Sequence, residues 1–209
     1  MKDTPAFIFD LDGTLVDSLQ DITDALNDAL AAVARPTAST DQVRAWVGDG
    51  LMTLCRRALP AGDASAPAEL ACLVKIRYQS HCADHTRSYP NILPMLKLLK
   101  SGGARLAVLS NKPHDLTIEV MERLALRGYF DEIRGYRREE DRKPAPRIAR
   151  AVARRLAAEP RNVFFVGDSQ VDIATARNAG LIAVAVTWGF RSRDELLGAT
   201  PAVPVHDPF

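Results

Sequence analysis

The stretch Phe7-Ile8-Phe9-Asp10-Leu11-Asp12-Gly13-Thr14-Leu15-Val16-Asp17-Ser18 begins as a buried strand and then breaks its own pattern. An apolar run, Ala6–Phe9, is followed at once by two aspartates two positions apart, and then by Gly13-Thr14. A carboxylate at the end of a buried strand is costly unless something pairs with it. An extended backbone turns Asp10 and Asp12 to the same side, so the two carboxylates act on one place.

Three further runs share the character of the first: Leu106–Leu109 (LAVL), Val163–Val166 (VFFV) and Ile182–Val186 (IAVAV). A weaker candidate lies near Phe130–Arg134. Unbroken apolar runs, rather than alternating ones, indicate parallel strands covered by helices on both faces. Leu19, Ile22, Leu26, Leu30 and Val33 step by three and four, which predicts an amphipathic helix over Ser18–Ala34 with Ser18 as its N-cap. Helices are also expected over Pro90–Lys100, Pro113–Arg127, Pro144–Ala158 and Ser169–Ala179. Three of these open on proline, and Gly102 and Gly180 stand where C-terminal caps belong.

From Leu106 onward strand and helix alternate, which implies an α/β fold with a doubly wound, mostly parallel, Rossmann-like sheet. Between the first strand and Leu106, residues Asp17–Asp84 offer no strand and read as helical, with breaks at Arg35–Ser39 and Pro60–Pro67. The expected organisation is a catalytic core of residues 1–16 and 87–209, with a small all-helical cap, residues 17–86, inserted after the first strand.

Composition narrows the function. The chain has 209 residues, 47% hydrophobic and 25% charged, with a formal net charge of +1. That balance offers no global field for nucleic acid or a membrane surface, so neither partner is expected. No apolar run is long enough to span a bilayer, and the first residues lack the pattern of a secretory signal, so the expected location is cytoplasmic. Cys55, Cys72 and Cys82 form no CxxC pair and are expected to be reduced thiols. Monomer and homodimer are both compatible with the sequence.

Chemistry gathers at the strand ends. The first strand ends in Asp10 and Asp12, the second strong run in Ser110-Asn111-Lys112, and the third in Gly167-Asp168-Ser169 with Asp172 close behind. Open α/β sheets bind ligands outside the carboxyl ends of their strands. Carboxylates crowded there repel, each close pair by roughly 4 kcal/mol at about 4 Å and an effective dielectric near 20. A hard cation such as Mg2+ suits an all-oxygen set without histidine. A hydroxyl, an amide and an ammonium suit phosphate oxygens. One aspartate could then attack phosphorus while the other moves the proton.

Four segments in order, FDLDGTLVDS, LSNKP, RKPAP and GDSQVDIATARNAG, resemble the four motifs of the haloacid dehalogenase-like superfamily. The resemblance implies residue roles. Asp10 would be the nucleophile and a Mg2+ ligand, and Asp12 the general acid/base with its backbone on the metal. Lys143 would bridge nucleophile and phosphate, and Asp168 and Asp172 would bind the metal or its waters. Leu11, Ser110, Asn111 and Gly48 are the expected phosphate and substrate contacts. An aspartate at position 12 marks the phosphoryl-transfer branch rather than the dehalogenases.

The insertion, with its WVGDGLMTLCRRAL segment (Trp46–Leu59), is similar to the cap of the phosphoglycolate phosphatase-like group. The expected reaction is Mg2+-dependent hydrolysis of a small phosphorylated metabolite, with 2-phosphoglycolate the leading substrate. Another sugar phosphate or pyrophosphate, a phosphomutase of the same fold, and a non-catalytic phosphate-binding module are the competing readings. Arg56 and Arg57 are candidates for a substrate carboxylate, while Lys112 is expected to be peripheral. His81, Cys82 and His85 are expected to serve the surface or a hinge rather than a metal. The sequence after the Thr187–Phe190 segment is short beside the family pattern, so a terminal helix is expected to be absent or rudimentary and the last sheet edge is left open, without bearing on the catalytic set.

Overall fold

The computed structural model describes residues 4–60, 66–156, 159–206 and 208. Its core is a sheet of six strands: β1 (Ala6–Phe9), β4 (Arg105–Pro113), β5 (Glu132–Tyr136), β6 (Val163–Gly167), β7 (Ile182–Val186) and β8 (Val203–Val205). The spatial order is β5-β4-β1-β6-β7-β8, with every neighbour parallel. From β1 the chain builds outward through β4 and β5, then returns to the other side of β1 with β6. The crevice between β1 and β6 is therefore the topological switch point, where ligands bind in such sheets.

Alternate side chains explain why the strands carry unbroken apolar runs. Ala6 and Ile8, Ala107 and Leu109, Val163 and Phe165 join one core layer. Phe9, Leu106, Val108 and Val166 join the other. The first layer packs on α7 (Pro146–Arg155), α8 (Gln170–Ala179) and α9 (Arg193–Gly198), through residues such as Val152, Ile173 and Leu196. The second packs on α5 (Ile92–Ser101) and α6 (His114–Arg123), through Leu96, Val120 and Met121. Each fully buried aliphatic side chain, Ile8 for example, contributes roughly 1.5–3 kcal/mol.

Between β1 and α5 stand α1 (Leu19–Ala32), α2 (Thr40–Trp46), α3 (Leu51–Ala58) and α4 (Ala66–His81). The α1 stripe Leu19, Ile22, Leu26 and Leu30 is buried as its spacing requires. The insertion is framed by a short antiparallel ribbon, β2 (Val16–Asp17) against β3 (Arg87–Ser88), which the periodicity does not reveal. Buried Asp21 ties the two ends together, accepting from His85 N and from Thr86 N and Oγ1. The expected break at Arg35–Ser39 is present, whereas 61–65, within the expected Pro60–Pro67 break, and the expected helix end at 157–158 lie outside the described residues. No helix among the described residues is long and apolar enough to cross a membrane.

Local chemistry shifts several expected boundaries. Ser18 occupies the N-cap of α1 but makes no cap hydrogen bond, because its hydroxyl is turned to Asp12. Pro113 is itself the N-cap of α6, Pro90 precedes the Asn91 N-cap of α5, and α7 opens on Pro146 rather than Pro144. Gly180 takes the left-handed cap conformation, whereas Gly102 does not and Gly103 does. The sheet edge that the short tail left open is closed by β8, with α9 providing the crossover from β7. The three cysteines are free thiols.

Candidate active site

The β1 register fixes Asp10. Its N–H continues the sheet by donating to Val166 O at 2.8 Å, so the carboxylate emerges at the β1/β6 crevice. Oδ1 of Asp10 accepts the Leu11 N–H at 2.7 Å, and Oδ2 pairs with Lys143 Nζ at 2.9 Å. Leu11 therefore spends its N–H on the neighbouring carboxylate, while its carbonyl accepts from Leu15 N and Val16 N to turn the chain.

Asp168 follows β6 and Asp172 lies in the first turn of α8. Asp172 completes a capping box with Ser169 and also accepts Lys143 Nζ at 2.6 Å. Asp168 accepts from Thr14 Oγ1 at 3.1 Å and Phe190 N at 2.8 Å. Glycines let these carboxylates come together. A Cβ on Gly13, whose φ is +83°, would lie 2.3 Å from Asp168 Oδ2, and one on Gly189 would meet Asp168 and the Gly13 carbonyl.

Oxygens of Asp10, Asp168 and Asp172 all fall within 4.8 Å of one another, and all three residues are buried. Lys143 balances only part of that charge. Burial pushes the Asp10 carboxyl up to about 7, with Lys143 opposing and the Asp172 charge adding. Burial, then the Asp172 and Asp10 charges, push Asp168 up to about 8. Burial works against the Lys143 ammonium, but the Asp10 and Asp172 carboxylates outweigh it and hold it above the usual lysine range. Asp168 has no cationic side chain in contact among the described residues. Three buried carboxylates share one ammonium, which pairs with two of them, and their oxygens form a donor set that fits a divalent oxygen-seeking cation.

The SNKP segment reaches the site on a bulge. Ser110 pairs with Gly135 and Pro113 with Tyr136, so β4 outruns β5 between them and its polar side chains are thrust over the crevice. Asn111 is fully engaged: Oδ1 accepts Lys143 N, and Nδ2 donates to Lys143 O and to Gly48 O. Gly48 is thereby brought from the α2–α3 turn onto the strand ends.

Lys112 is buried, not peripheral as expected. Its Nζ lies 2.6 Å from Asp12 Oδ1 and 2.9 Å from Tyr78 Oη. A cavity of about 70 Å³ is lined by Asp10, Asp12, Ser110, Asn111, Lys112, Tyr78 and apolar residues that include Leu51, Leu54 and Leu116.

Other candidates go elsewhere. Arg57 pairs with Asp49 at 2.6 Å and donates to Trp46 O, bracing the cap turn, and neither Arg56 nor Arg57 lines the cavity. His81 bonds Asp84 and His85 lies 4.0 Å from Asp24, so the two histidines do not converge. Trp188 packs against the core and donates to Thr14 O. Sequence reasoning missed Tyr78, Arg142 and Arg191. Tyr78 lies within a helix without a motif, and the two arginines reach the cap across long separations in the chain.

Residues 7–186 match the family model of the haloacid dehalogenase-like hydrolases. Phosphoglycolate phosphatase 1 of Pseudomonas aeruginosa is 34% identical over 205 residues, covering 95% of this chain and 75% of that protein. Phosphoglycolate phosphatase of Chromobacterium violaceum is 34% identical over 201 residues, covering 94% and 90%. The crystal structure of a predicted phosphoglycolate phosphatase from Haemophilus somnus superimposes with a TM-score of 0.90 at 30% identity, covering 100% of this chain and 96% of that one.

Proposed function

The chain belongs to the haloacid dehalogenase-like hydrolase family and is a phosphatase of that family; we propose that it hydrolyses a small phosphorylated metabolite, with 2-phosphoglycolate the leading substrate, using Mg2+ and a phosphorylated Asp10. The observation that carries this reading is the placement of Asp10. It shares one cavity with Asp12 and one carboxylate cluster with Asp168 and Asp172, and Lys143 holds its Oδ2.

In this reading an Asp10 oxygen bonds to phosphorus as the ester P–O bond breaks, and Asp12 gives a proton to the departing oxygen. Asp12 then takes a proton from water as the water oxygen bonds to phosphorus. The P–O bond to Asp10 breaks, phosphate leaves and the Asp10 carboxylate returns. Lys143 stays paired with Asp10 and Asp172 and offsets charge that builds between nucleophile and phosphate. Asp10, Asp168, Asp172 and the Asp12 backbone would hold Mg2+, which supplies the positive charge that lets an anionic ester approach a carboxylate. Ser110 faces the same cavity and is available to the phosphoryl oxygens. Asn111 serves by fixing Lys143 and Gly48.

We assign residues 17–86 to a cap that closes over the strand ends. The small cavity and the apolar wall of Leu51, Leu54 and Leu116 suit a compact substrate. The homologues named as phosphoglycolate phosphatases support the substrate choice.

The test is phosphate release from phosphoglycolate with and without Mg2+, alongside a panel of phosphorylated metabolites ranked by kcat/KM. Turnover should require the metal, phosphoglycolate should rank first, and Asp10→Asn should be inactive. Substantial activity in Asp10→Asn would remove the nucleophile assignment.

A further inference from the structure

Two donors meet one oxygen of Asp12. Ser18 Oγ, at the start of α1, lies 2.5 Å from Oδ1, and Lys112 Nζ, on the β4 bulge, lies 2.6 Å from the same atom. Oδ2 has no protein donor among the described residues. The Lys112 side chain is only 6% exposed, so its ammonium depends on protein partners. It has two: Asp12, and Tyr78 of cap helix α4, whose hydroxyl accepts at 2.9 Å and whose ring centroid lies 4.5 Å away.

An ammonium carries three donors and no acceptor. Oδ1 of Asp12 already accepts from both Lys112 and Ser18, which commits its lone pairs and leaves Oδ2 as the oxygen that carries a proton. We infer that Lys112 and Tyr78 are positioning residues for proton transfer: Tyr78 anchors the Lys112 ammonium, Lys112 and Ser18 fix Oδ1 of Asp12, and the proton is confined to Oδ2. The inference rests on the assignment of Asp12 as acid/base made above. In the first half-reaction the Oδ2 proton passes to the ester oxygen as its bond to phosphorus breaks. In the second, Oδ2 takes a proton from the water that attacks the Asp10 phosphate. Because Tyr78 belongs to the helical insertion, the arrangement is complete only when that insertion is seated on the core.

The test uses Tyr78→Phe, Lys112→Met, the double variant and Asp12→Asn, with phosphoglycolate and p-nitrophenyl phosphate in saturating Mg2+. Tyr78→Phe keeps the ring and removes one hydroxyl. It should lower kcat on phosphoglycolate about ten-fold while KM stays within about two-fold, a fraction of the 10²–10⁴-fold that general acid–base catalysis supplies. Nitrophenolate departs with little help from a proton, whereas hydrolysis of the phosphorylated Asp10 still needs Asp12. Tyr78→Phe should therefore release a burst of about one nitrophenolate per enzyme before a slower steady rate.

In the Lys112→Met background, adding Tyr78→Phe should change kcat by less than about two-fold, because the two residues act as one unit. Unchanged kcat in Tyr78→Phe, a rise in KM with kcat intact, or independent losses in the double variant would overturn the inference. If Lys112→Met fails to fold, the kcat-against-KM split and the burst in Tyr78→Phe decide the question alone. Full activity in Asp12→Asn would instead overturn the acid/base assignment itself, a result distinct from the others.

Discussion

Asn111 and Lys143 exchange a reciprocal pair of hydrogen bonds: Lys143 N donates to Asn111 Oδ1 at 2.7 Å, and Asn111 Nδ2 donates back to Lys143 O at 3.1 Å. The same Nδ2 reaches Gly48 O at 3.0 Å. One buried amide thus sets the Lys143 backbone and the Gly48 carbonyl together. Asn111→Asp keeps the acceptor but turns an oxygen toward two carbonyls. Misplacing a reacting group by about 1 Å can cost on the order of 100-fold. The expected result is a loss of that order in kcat/KM, read by steady-state kinetics with phosphoglycolate, with kcat and KM both affected.

Lys143 is the buried cation between Asp10 and Asp172, and its side chain is 2% exposed. Lys143→Met leaves those carboxylates without it. Breaking a buried pair from one side costs about 3–5 kcal/mol. Metal-free Lys143→Met should be destabilised by that order in urea denaturation, and Mg2+ should restore part of the loss. An equal loss with and without Mg2+ would argue against shared charge balance at the cluster.

Metal removal should expose a pH dependence with a defined sign. Asp10 and Asp168 are held at about 7 and about 8 in the folded protein, above the ordinary aspartate value near 3.9. Across that window the folded state keeps protons that the unfolded state has lost. Stability of the metal-free protein should therefore fall as pH rises from about 4 to about 8. Saturating Mg2+ should flatten the fall, because bound metal favours the ionised carboxylates. Asp168→Asn should reduce both the slope and the stabilisation by Mg2+, measured as Tm across that pH range.

The sheet was legible because burial on both faces leaves an unbroken apolar run, and three of the four strong runs ended in the polar residues that now form the site. Asp10 and Asp168 could be placed on that basis alone, since parallel strands bring their carboxyl ends to one edge. The β2/β3 ribbon was not legible, because two-residue strands are too short to show a period. The position of Lys112 depends on a bulge that no propensity signals, and Tyr78 is one apolar-face residue among several on α4. Ser18 carried a correct local signal for a helix start, but its hydroxyl found the stronger acceptor in Asp12. Contacts that span 93 positions, as Arg142 to Asp49 does, or 144, as Arg191 to Val47 does, leave no trace in a local pattern.

Those two arginines carry the last prediction. Three consecutive carbonyls of the α2–α3 turn each accept from a different core side chain: Val47 O from Arg191, Gly48 O from Asn111, and Asp49 O from Arg142. Arg191 also donates to Arg44 O at 2.6 Å, the last turn of α2, and Arg142 reaches Thr53 Oγ1 at 3.2 Å. Charge-assisted hydrogen bonds of this kind contribute about 1.5–3 kcal/mol each. They hold the α2–α3 turn on the strand ends, and under the cap assignment proposed above they favour the closed arrangement without touching the reacting atoms. Arg191→Ala removes two of them and leaves the Asp10, Asp12 and Lys143 contacts in place. KM for phosphoglycolate should rise about ten-fold while kcat changes by less than about three-fold, and backbone amides of residues 44–50 should exchange faster in hydrogen–deuterium measurements. A kcat loss equal to that of Asn111→Asp, with exchange unchanged, would place Arg191 in the chemistry rather than in closure.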